Sequence, residues 1–304
     1  MPELPEVETV RTLIAPHVRD RRIVGVTVGA FTGVVESPLP ANPVSLLTGA
    51  TILDVQRRGK YLIFQLDTGL WMTVHLRMTG RLIVCRTGDP AIRFEHIAFH
   101  LDSGEDIRFG DQRKFGRVTL LDEDHVASLE SRLGPEPFDP DLTGPVLHPR
   151  LARRTGSIKG ALLDQRLIAG LGNIYVDEAL WRAKIHPLQT ANRIDEETLA
   201  RLLDAIRSVL GSAIEHQGTT FSSFENPYGE AGGNARFLKV YGRSKTDGTC
   251  DRCGGLLQRM VVAGRGTTLC PTCQTLDPSQ ILGEDFDSAN DVGPGLQTQG
   301  EKRR

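Results

Sequence analysis

The spacing of hydrophobic residues changes along the first half of the chain. Near the start, apolar residues recur at helical spacing over "PELPEVETVRTLIAPHV", as Leu4, Val7, Val10, Leu13 and Ile14. From residue 22 to 121, short apolar runs such as "YLIFQL" and "HIAFHL" recur at intervals of about ten residues, with Gly or Asp turns between them. The pattern predicts one helix followed by an antiparallel sandwich or barrel.

The second half of the chain has a helical period instead. The segment 133–149 contains five prolines and is predicted to be a linker. Residues 173–184 and 195–216 then carry apolar side chains at three- and four-residue spacing, with Asp195 as an N-cap and Gly218 as a stop. From 277 onward the chain is polar and Gly-rich, which predicts a disordered tail.

Charge is distributed unevenly over these regions. The 304 residues have a formal net charge of −2, yet residues 145–276 carry 17 Lys and Arg against 12 Asp and Glu. The corresponding counts are 16 against 20 in residues 1–144 and 3 against 6 in residues 277–304. A polyanionic partner is therefore expected on the second half of the chain.

Four of the five cysteines form two CxxC pairs. Cys250, Cys253, Cys270 and Cys273 have the spacing of a tetrahedral zinc site. Two disulfides are the alternative, but the chain has no secretory-type N-terminus and no apolar run of about 20 residues, so an intracellular protein is expected. Four thiolates leave no open metal position, so the zinc would be structural, and the hairpin "RMVVAGRGTTL" between the pairs would project Arg265.

The opening "MPELPEV" suggests a nucleophile. Removal of Met1 would leave Pro2 with a secondary amine beside Glu3, and an α-amine titrates at about 7.7–8.0, so much of it is neutral near pH 7. Glu6 and Glu8 are interpreted as favourable charges at a helix N-terminus, without a catalytic role.

Two further stretches suggest contacts with DNA. In "AGLGNIYVDEAL" a glycine turn precedes a helix, so backbone N–H groups and Asn173 are candidates for binding a phosphate, although such glycines more often only permit close packing. In "HLRMTG" and "GDQRKFGR", Met78, Arg113 and Phe115 stand beside turn glycines. An apolar wedge with an arginine is a means of unstacking base pairs, and burial in the core is the alternative for Met78 and Phe115.

Taken together, these motifs resemble those of the formamidopyrimidine-DNA glycosylases, base-excision repair enzymes related to endonuclease VIII. The similarity runs in order over nearly all of residues 1–276, through "MPELPEVETV", "RRGKYLIFQL", "HLRMTG", "DQRKFGR", "LGPEP", "LLDQRLIAGLGNIYVDEALWRAKIHP", "VYGR" and "GRGTTLCPTCQ". The chain has Phe94 where many members have a second histidine shortly before His96.

The resemblance implies an α+β multidomain fold. An N-terminal helix and an antiparallel β-sandwich would form the catalytic domain, residues 1–133, and a linker would follow over 134–149. A helical helix-two-turns-helix domain would bind DNA over 150–240, a C-terminal β-hairpin zinc ribbon would occupy 241–276, and a tail 277–304.

The resemblance also implies roles for individual residues. Pro2 would be the nucleophile, Glu3 the acid/base and Lys60 a group that assists elimination. Arg265 would bind a phosphate and assist the last elimination. The expected DNA contacts are Met78, His96, Arg113, Phe115, Lys159 and Asn173, and one structural zinc is expected on the four cysteines.

The implied activity is removal of oxidised purines through a Schiff base on the N-terminal proline, followed by β,δ-elimination at the abasic site. An enzyme for oxidised pyrimidines, or a non-catalytic zinc-dependent binder of damaged DNA, are the alternatives. The expected partner is double-stranded DNA with oxidised bases or abasic sites. The expected state is a monomer in the bacterial cytoplasm, at the nucleoid and without a membrane.

Overall fold

The first half of the protein is a helix packed on a β-sandwich. The computed structural model describes residues 1–221, 223–243 and 248–276. Helix α1 (Leu4–Val18) comes first, and the short helices α2 (Pro43–Leu47) and α3 (Glu123–Ser131) lie at the edges. The strands are β1 (Arg21–Val28), β2 (Val35–Glu36), β3 (Thr51–Arg58), β4 (Tyr61–Leu66), β5 (Trp71–His75), β6 (Gly80–Arg86), β7 (Glu95–Leu101), β8 (Glu105–Asp111) and β9 (Arg117–Leu121).

The nine strands follow the order β2-β9-β5-β4-β3-β1-β7-β8-β6. Neighbours are antiparallel except β2 and β9. Strand β1 pairs with β3 through its first two residues and with β7 through the rest, so it connects the two layers. The predicted helix and antiparallel sandwich are confirmed. Strands β2, β3 and β8 were not among the runs recognised in the sequence. Strand β8 was missed because it buries the charged residues Asp106, Arg108 and Asp111 between its apolar ones.

The second half is helical and ends in a hairpin. Its elements are α4 (Gly144–Leu151), α5 (Ile158–Leu163), α6 (Asn173–Ala183), α7 (Glu196–Glu215), β10 (Gln258–Val262) and β11 (Arg265–Leu269). The helices predicted over 173–184 and 195–216 are confirmed, and the Asp195 carboxylate accepts a hydrogen bond from the Thr198 N–H at 2.7 Å as the predicted N-cap. Gly218, predicted to stop this helix, has φ of 80°.

The predicted linker is wrong at its C-terminal end. Helix α4 begins at Gly144, inside the segment 134–149 that was expected to be irregular. Pro145 lies in the first turn of α4, where the missing N–H would have no helical partner, so it does not prevent the helix from starting.

Helix α1 joins the two halves. Leu4 packs in the hydrophobic core of the second half, whereas Val7, Val10 and Ile14 pack in the core of the sandwich. The Leu4 N–H donates to the Gly170 carbonyl at 3.0 Å. The first turn of α1, with Pro2 and Glu3 just before it, is therefore held at the junction between the halves.

The tail predicted over 277–304 lies outside the described residues. Within the described part, none of the helices combines the length and hydropathy needed to cross a membrane.

Candidate active site and nucleic-acid interface

The carboxylate of Glu3 occupies the N-terminus of helix α6. It is buried, with 2% of the residue exposed, and accepts hydrogen bonds from the backbone N–H groups of Ile174 at 2.9 Å and Tyr175 at 3.5 Å. Gly172 makes room for it, since a Cβ there would lie 2.3 Å from the Glu3 Cδ. The backbone groups that were candidates for binding a phosphate are thus used by Glu3, because a helix N-terminus stabilises any nearby anion. The glycines of this turn permit close packing, which was the alternative.

Lys60 lies in the same electrostatic environment as Glu3. Burial raises the pKa of Glu3, an effect that Lys60, the two N–H donors and the chain's terminal amine oppose. Burial likewise lowers the pKa of Lys60, which is only 6% exposed, and the charges of Glu3 and Glu6 oppose that change. The proton affinities of an acid and a base are thereby brought closer together, as proton transfer between them and a bound substrate requires.

Glu6 is a structural part of this site, contrary to its interpretation as a favourable helix charge alone. It is buried, and its carboxylate accepts hydrogen bonds from the Glu3 N–H at 2.8 Å and the Thr219 N–H at 2.7 Å, and from the Tyr175 hydroxyl. Burial and the charge of Glu3 raise the pKa of Glu6 to about 7. A Glu three positions after the N-cap is the sequence signal of this reciprocal arrangement, the capping box.

The turn that presents Lys60 is held by a residue that sequence reasoning missed. Glu136, in "LGPEP", accepts hydrogen bonds from the Gly59 N–H at 2.7 Å and from Arg58 at 2.9 Å. It also pairs with Arg57 at 2.7 Å. A carboxylate opposite "RRG" thus fixes the connection between β3 and β4, and the two motifs were available in the sequence although their proximity was not.

Met78, Arg113 and Phe115 form one exposed cluster. Met78 is 39% and Phe115 48% exposed, which excludes the alternative that they are core residues. The Arg113 guanidinium donates to the Met78 sulfur at 2.9 Å and lies 4.8 Å from the centre of the Phe115 ring. An apolar pair and a cation are therefore presented together at the surface, as a wedge for base pairs requires.

Asp111 and His96 support that cluster from below. The Asp111 carboxylate accepts hydrogen bonds from the backbone N–H groups of Phe115 at 2.8 Å and Gly116 at 2.7 Å. His96 is buried, with its Nε2 2.7 Å from the Asp111 carbonyl oxygen and its ring edge-on to Phe31. In this structure His96 stabilises the loop instead of exposing a group to DNA.

Asn173 and Arg265 meet at the zinc hairpin. Arg265 is exposed at the start of β11, beside the turn to β10. The Asn173 amide donates to the Gly266 carbonyl at 3.0 Å. Tyr241 lies beside the Asn173 side chain, and its ring centre is 5.4 Å from that of Phe221. Tyr241 was missed as a site residue, although it stands in the "VYGR" motif.

Lys159 is placed differently from the DNA-facing position that was expected. It is fully buried, and its ammonium donates to the Asp177 carboxylate at 2.6 Å and the Thr267 hydroxyl at 2.8 Å. The other Asp177 oxygen accepts from the Thr268 N–H at 3.1 Å. Burial lowers the pKa of Lys159 and raises that of Asp177 to about 6. The ion pair ties strand β11, and hence Arg265, to helices α5 and α6.

The four predicted metal ligands converge. The sulfur atoms of the cysteines lie within 4.8 Å of one another, with 3.9 Å between Cys250 and Cys273 and 3.5 Å between Cys253 and Cys270. Zinc with Zn–S bonds of about 2.3 Å in a tetrahedron requires S···S separations of roughly 3.8 Å, so the residues fit one structural zinc ion. The Trp181 indole N–H donates to the Cys250 sulfur at 3.3 Å, which docks the ribbon on α6.

Three family models match the chain. One, described as the formamidopyrimidine-DNA glycosylase N-terminal domain, matches residues 1–118, and the H2TH domain of the same enzymes matches 133–225. A zinc finger found in FPG and IleRS matches 248–276.

Individual proteins match over most of their length. The formamidopyrimidine-DNA glycosylase of Herpetosiphon aurantiacus is 45% identical over 274 residues, which cover 90% of this chain and 100% of that protein. A Lactococcus lactis Fpg crystallised with Fapy-dG-containing DNA superimposes with a TM-score of 0.82 at 36% identity, and so does a complex of that enzyme with abasic-site DNA. Both comparisons cover 90% of this chain and 100% of the Lactococcus chain.

Proposed function

The chain belongs to the formamidopyrimidine-DNA glycosylase family, and we propose that Pro2, Glu3 and Lys60 carry out its reaction. The protein is a base-excision repair enzyme, an N-glycosylase with abasic-site lyase activity. It acts on DNA with oxidised or formamidopyrimidine bases and on abasic sites. The observation that carries the assignment of residues is the buried Glu3 carboxylate, held on α6 next to Lys60 and Pro2.

In the proposed reaction, loss of Met1 frees the secondary amine of Pro2. The amine attacks C1′ of the damaged nucleotide, the bond from C1′ to the base breaks, and the base leaves with a proton. The amine loses its proton, and the C1′–O4′ bond of the sugar then breaks with transfer of a proton to O4′, which gives an iminium. The iminium acidifies the C2′ proton, whose removal expels the 3′ phosphate, and a second elimination expels the 5′ phosphate. Glu3 moves protons at the sugar, and Lys60 stabilises the departing phosphate and assists elimination.

Side chains of both halves make the proposed contacts with DNA. The cluster of Met78, Arg113 and Phe115 enters the duplex and occupies the space of the everted nucleotide, which lowers the cost of unstacking. Arg265 and Asn173 bind phosphates next to the lesion, and His96 and Lys159 position these groups from inside the fold. The excess of positive charge in residues 145–276 gives affinity that does not depend on sequence.

The functional units follow the two halves. We propose a catalytic domain over 1–133 and a DNA-binding domain and zinc ribbon over 150–240 and 241–276, with the start of α4 reaching into the linker. The one zinc ion on the four cysteines would hold the hairpin of Arg265 and take no part in the reaction. The protein would act as a monomer on the nucleoid in a bacterial cytoplasm.

Borohydride trapping tests the assignment of Pro2. Incubation with lesion-containing duplex and borohydride reduces the iminium, and the wild-type protein is expected to form a covalent adduct with DNA. Pro2→Gly should form much less of it, and protein that retains Met1, identified by intact mass, should form none. An undiminished adduct from the Met1-containing fraction would refute the assignment, because its proline nitrogen is a peptide amide.

A further inference from the structure

Residues 223–230, called the strap below, connect the helical half to the sandwich. The strap follows α7 of the second half, but Phe224 is buried in the hydrophobic core of the sandwich. The Pro227 carbonyl accepts a hydrogen bond from the Val84 N–H on β6 at 2.9 Å. The Glu225 carboxylate forms an ion pair with Arg81 on the same strand.

The far end of the strap is a rigid turn. The Asn226 side-chain oxygen accepts hydrogen bonds from the N–H groups of Tyr228 and Glu230, both at 3.0 Å. The Tyr228 hydroxyl lies 3.2 Å from Nε2 of His17 on α1. These contacts fix the turn to the sandwich independently of Arg81, so loss of the ion pair should shift the strap without releasing it.

The near end of the strap lies between the catalytic groups and the exposed cluster of Met78, Arg113 and Phe115. Just before it, the Thr219 N–H donates to Glu6, which in turn holds the Glu3 backbone. At its start, the Ser223 hydroxyl donates to the Met78 carbonyl at 3.3 Å. Thr219 therefore lies in the neighbourhood of Glu3 and Ser223 lies at Met78, on either side of the region that an everted base would enter.

The Arg81 side chain is itself fixed for this contact. Its guanidinium also donates to the Arg93 carbonyl at 2.8 Å, so its conformation is determined by the sandwich. The pair is partly shielded from water, with 18% of the Arg81 side chain and 38% of the Glu225 side chain exposed. An ordered and partly shielded guanidinium makes a stronger contact than two flexible surface side chains.

We propose that the ion pair of Arg81 and Glu225 positions the strap over the everted base and keeps its first residue in contact with Met78. Base release then depends on the pair, whereas cleavage at a pre-formed abasic site does not, because an abasic site has no base to cover. The inference rests on the proposed function. Arg81 and Glu225 would be positioning residues, since they act through the strap and not on the reacting atoms.

The test compares two reactions of the same protein. Single-turnover rates are measured on duplexes that carry 8-oxoguanine or an abasic site, for the wild type, Arg81→Ala and Glu225→Ala. Each variant should lose about fivefold in base excision, in keeping with a partly shielded pair, and stay within about twofold on the abasic site. Arg19→Ala is the matched control, since it breaks an ion pair with Asp54 on the same domain at 2.8 Å; it should change neither rate.

A charge-reversed double variant completes the test. Arg81→Glu combined with Glu225→Arg restores opposite charges across the contact and should recover most of the lost excision. Equal loss on both substrates, unchanged excision, or failure of the double variant to recover would each overturn the inference. A wild-type protein inactive on both substrates would instead refute the proposed function, so the two failures are distinguishable.

Discussion

Gly172→Ala is a sharp test of how Glu3 is held. In the structure an alanine Cβ at this position would lie 2.3 Å from the Cδ and 2.5 Å from the Oε1 of Glu3. Carbon atoms in contact are about 3.5–4.0 Å apart, so either the carboxylate or the first turn of α6 must move by more than about 1 Å. The hydrogen bond from the Ile174 N–H at 2.9 Å would be lost with that movement.

The expected loss of activity follows from the displacement. A shift of about 1 Å in a catalytic group costs roughly 100-fold in rate, which corresponds to about 2.7 kcal/mol in the activation free energy. Loss of the N–H donor also removes one of the effects that oppose the raised pKa of Glu3, so the carboxyl should titrate still higher. Both the base-excision and the abasic-site rates should fall, and their pH profiles should move toward higher pH.

The assay is single-turnover kinetics on both substrates over a range of pH, with thermal unfolding as a check of the fold. Gly211→Ala is the matched control, because Gly211 lies in α7 and a Cβ there would have no atom within 4 Å. It should keep wild-type rates and gain about 0.5–1 kcal/mol of stability, since alanine is favoured over glycine in a helix. A Gly172→Ala protein that reacts within about threefold of the wild type would refute the argument.

Three further predictions concern the surroundings of the site. Lys159→Met leaves the Asp177 carboxylate buried without its ion-pair partner, so the free energy of unfolding measured in urea should fall by about 3–5 kcal/mol. The double variant Lys159→Met with Asp177→Leu should recover most of this loss, and an equal loss in both variants would contradict the prediction. The pKa of Glu6 is about 7 in the folded protein against 4.5 ordinarily, so its stabilising contribution is complete below pH 4.5 and is lost as the pH rises through 7. The difference in unfolding free energy between Glu6→Gln and the wild type should therefore shift by about 3 kcal/mol in favour of the variant as the pH rises from 4.5 to 8. A difference that stays constant over this range would contradict the raised pKa of Glu6. Removal of zinc with a chelator should lower the thermal transition and weaken DNA binding through Arg265, both restored by added zinc; unchanged binding would show that the hairpin is stable without the metal.

The spacing of apolar residues was sufficient to predict the helices and strands whose apolar side chains all face one hydrophobic core. Helices α6 and α7 and the cap at Asp195 follow from spacing and local hydrogen bonding, which depend only on neighbouring residues. Strand β8 does not, because it places Asp106 and Arg108 in the interior as an ion pair at 2.8 Å. Burial of such a pair depends on how β6 and β7 pack on both sides of β8, which the spacing of apolar residues within β8 does not reveal.

Some residues of the candidate site could likewise be predicted from the sequence and others could not. The cysteine spacing and the exposed turn residues identified the zinc ligands and the cluster at Met78, because short motifs with defined geometry bring those groups together. The roles of Glu6, Glu136 and Lys159 could not be read in this way. Apart from the capping bond from the Glu3 N–H to Glu6, the partners of these charged residues are at least 18 positions away, such as Asp177 for Lys159. A surface position is the ordinary expectation for such residues until the tertiary contact is known.

The placement of helix α1 between two hydrophobic cores has a consequence during synthesis. Glu3 is among the first residues to leave the ribosome, yet the N–H groups that hold its carboxylate belong to Ile174 and Tyr175. At about 5–20 residues per second, these partners appear roughly 10–30 seconds later. A nascent or truncated chain that ends before residue 174 therefore has the N-terminal amine and the Glu3 carboxylate but lacks the groups that hold that carboxylate in place. Such partial translation products should lack strand-cutting activity.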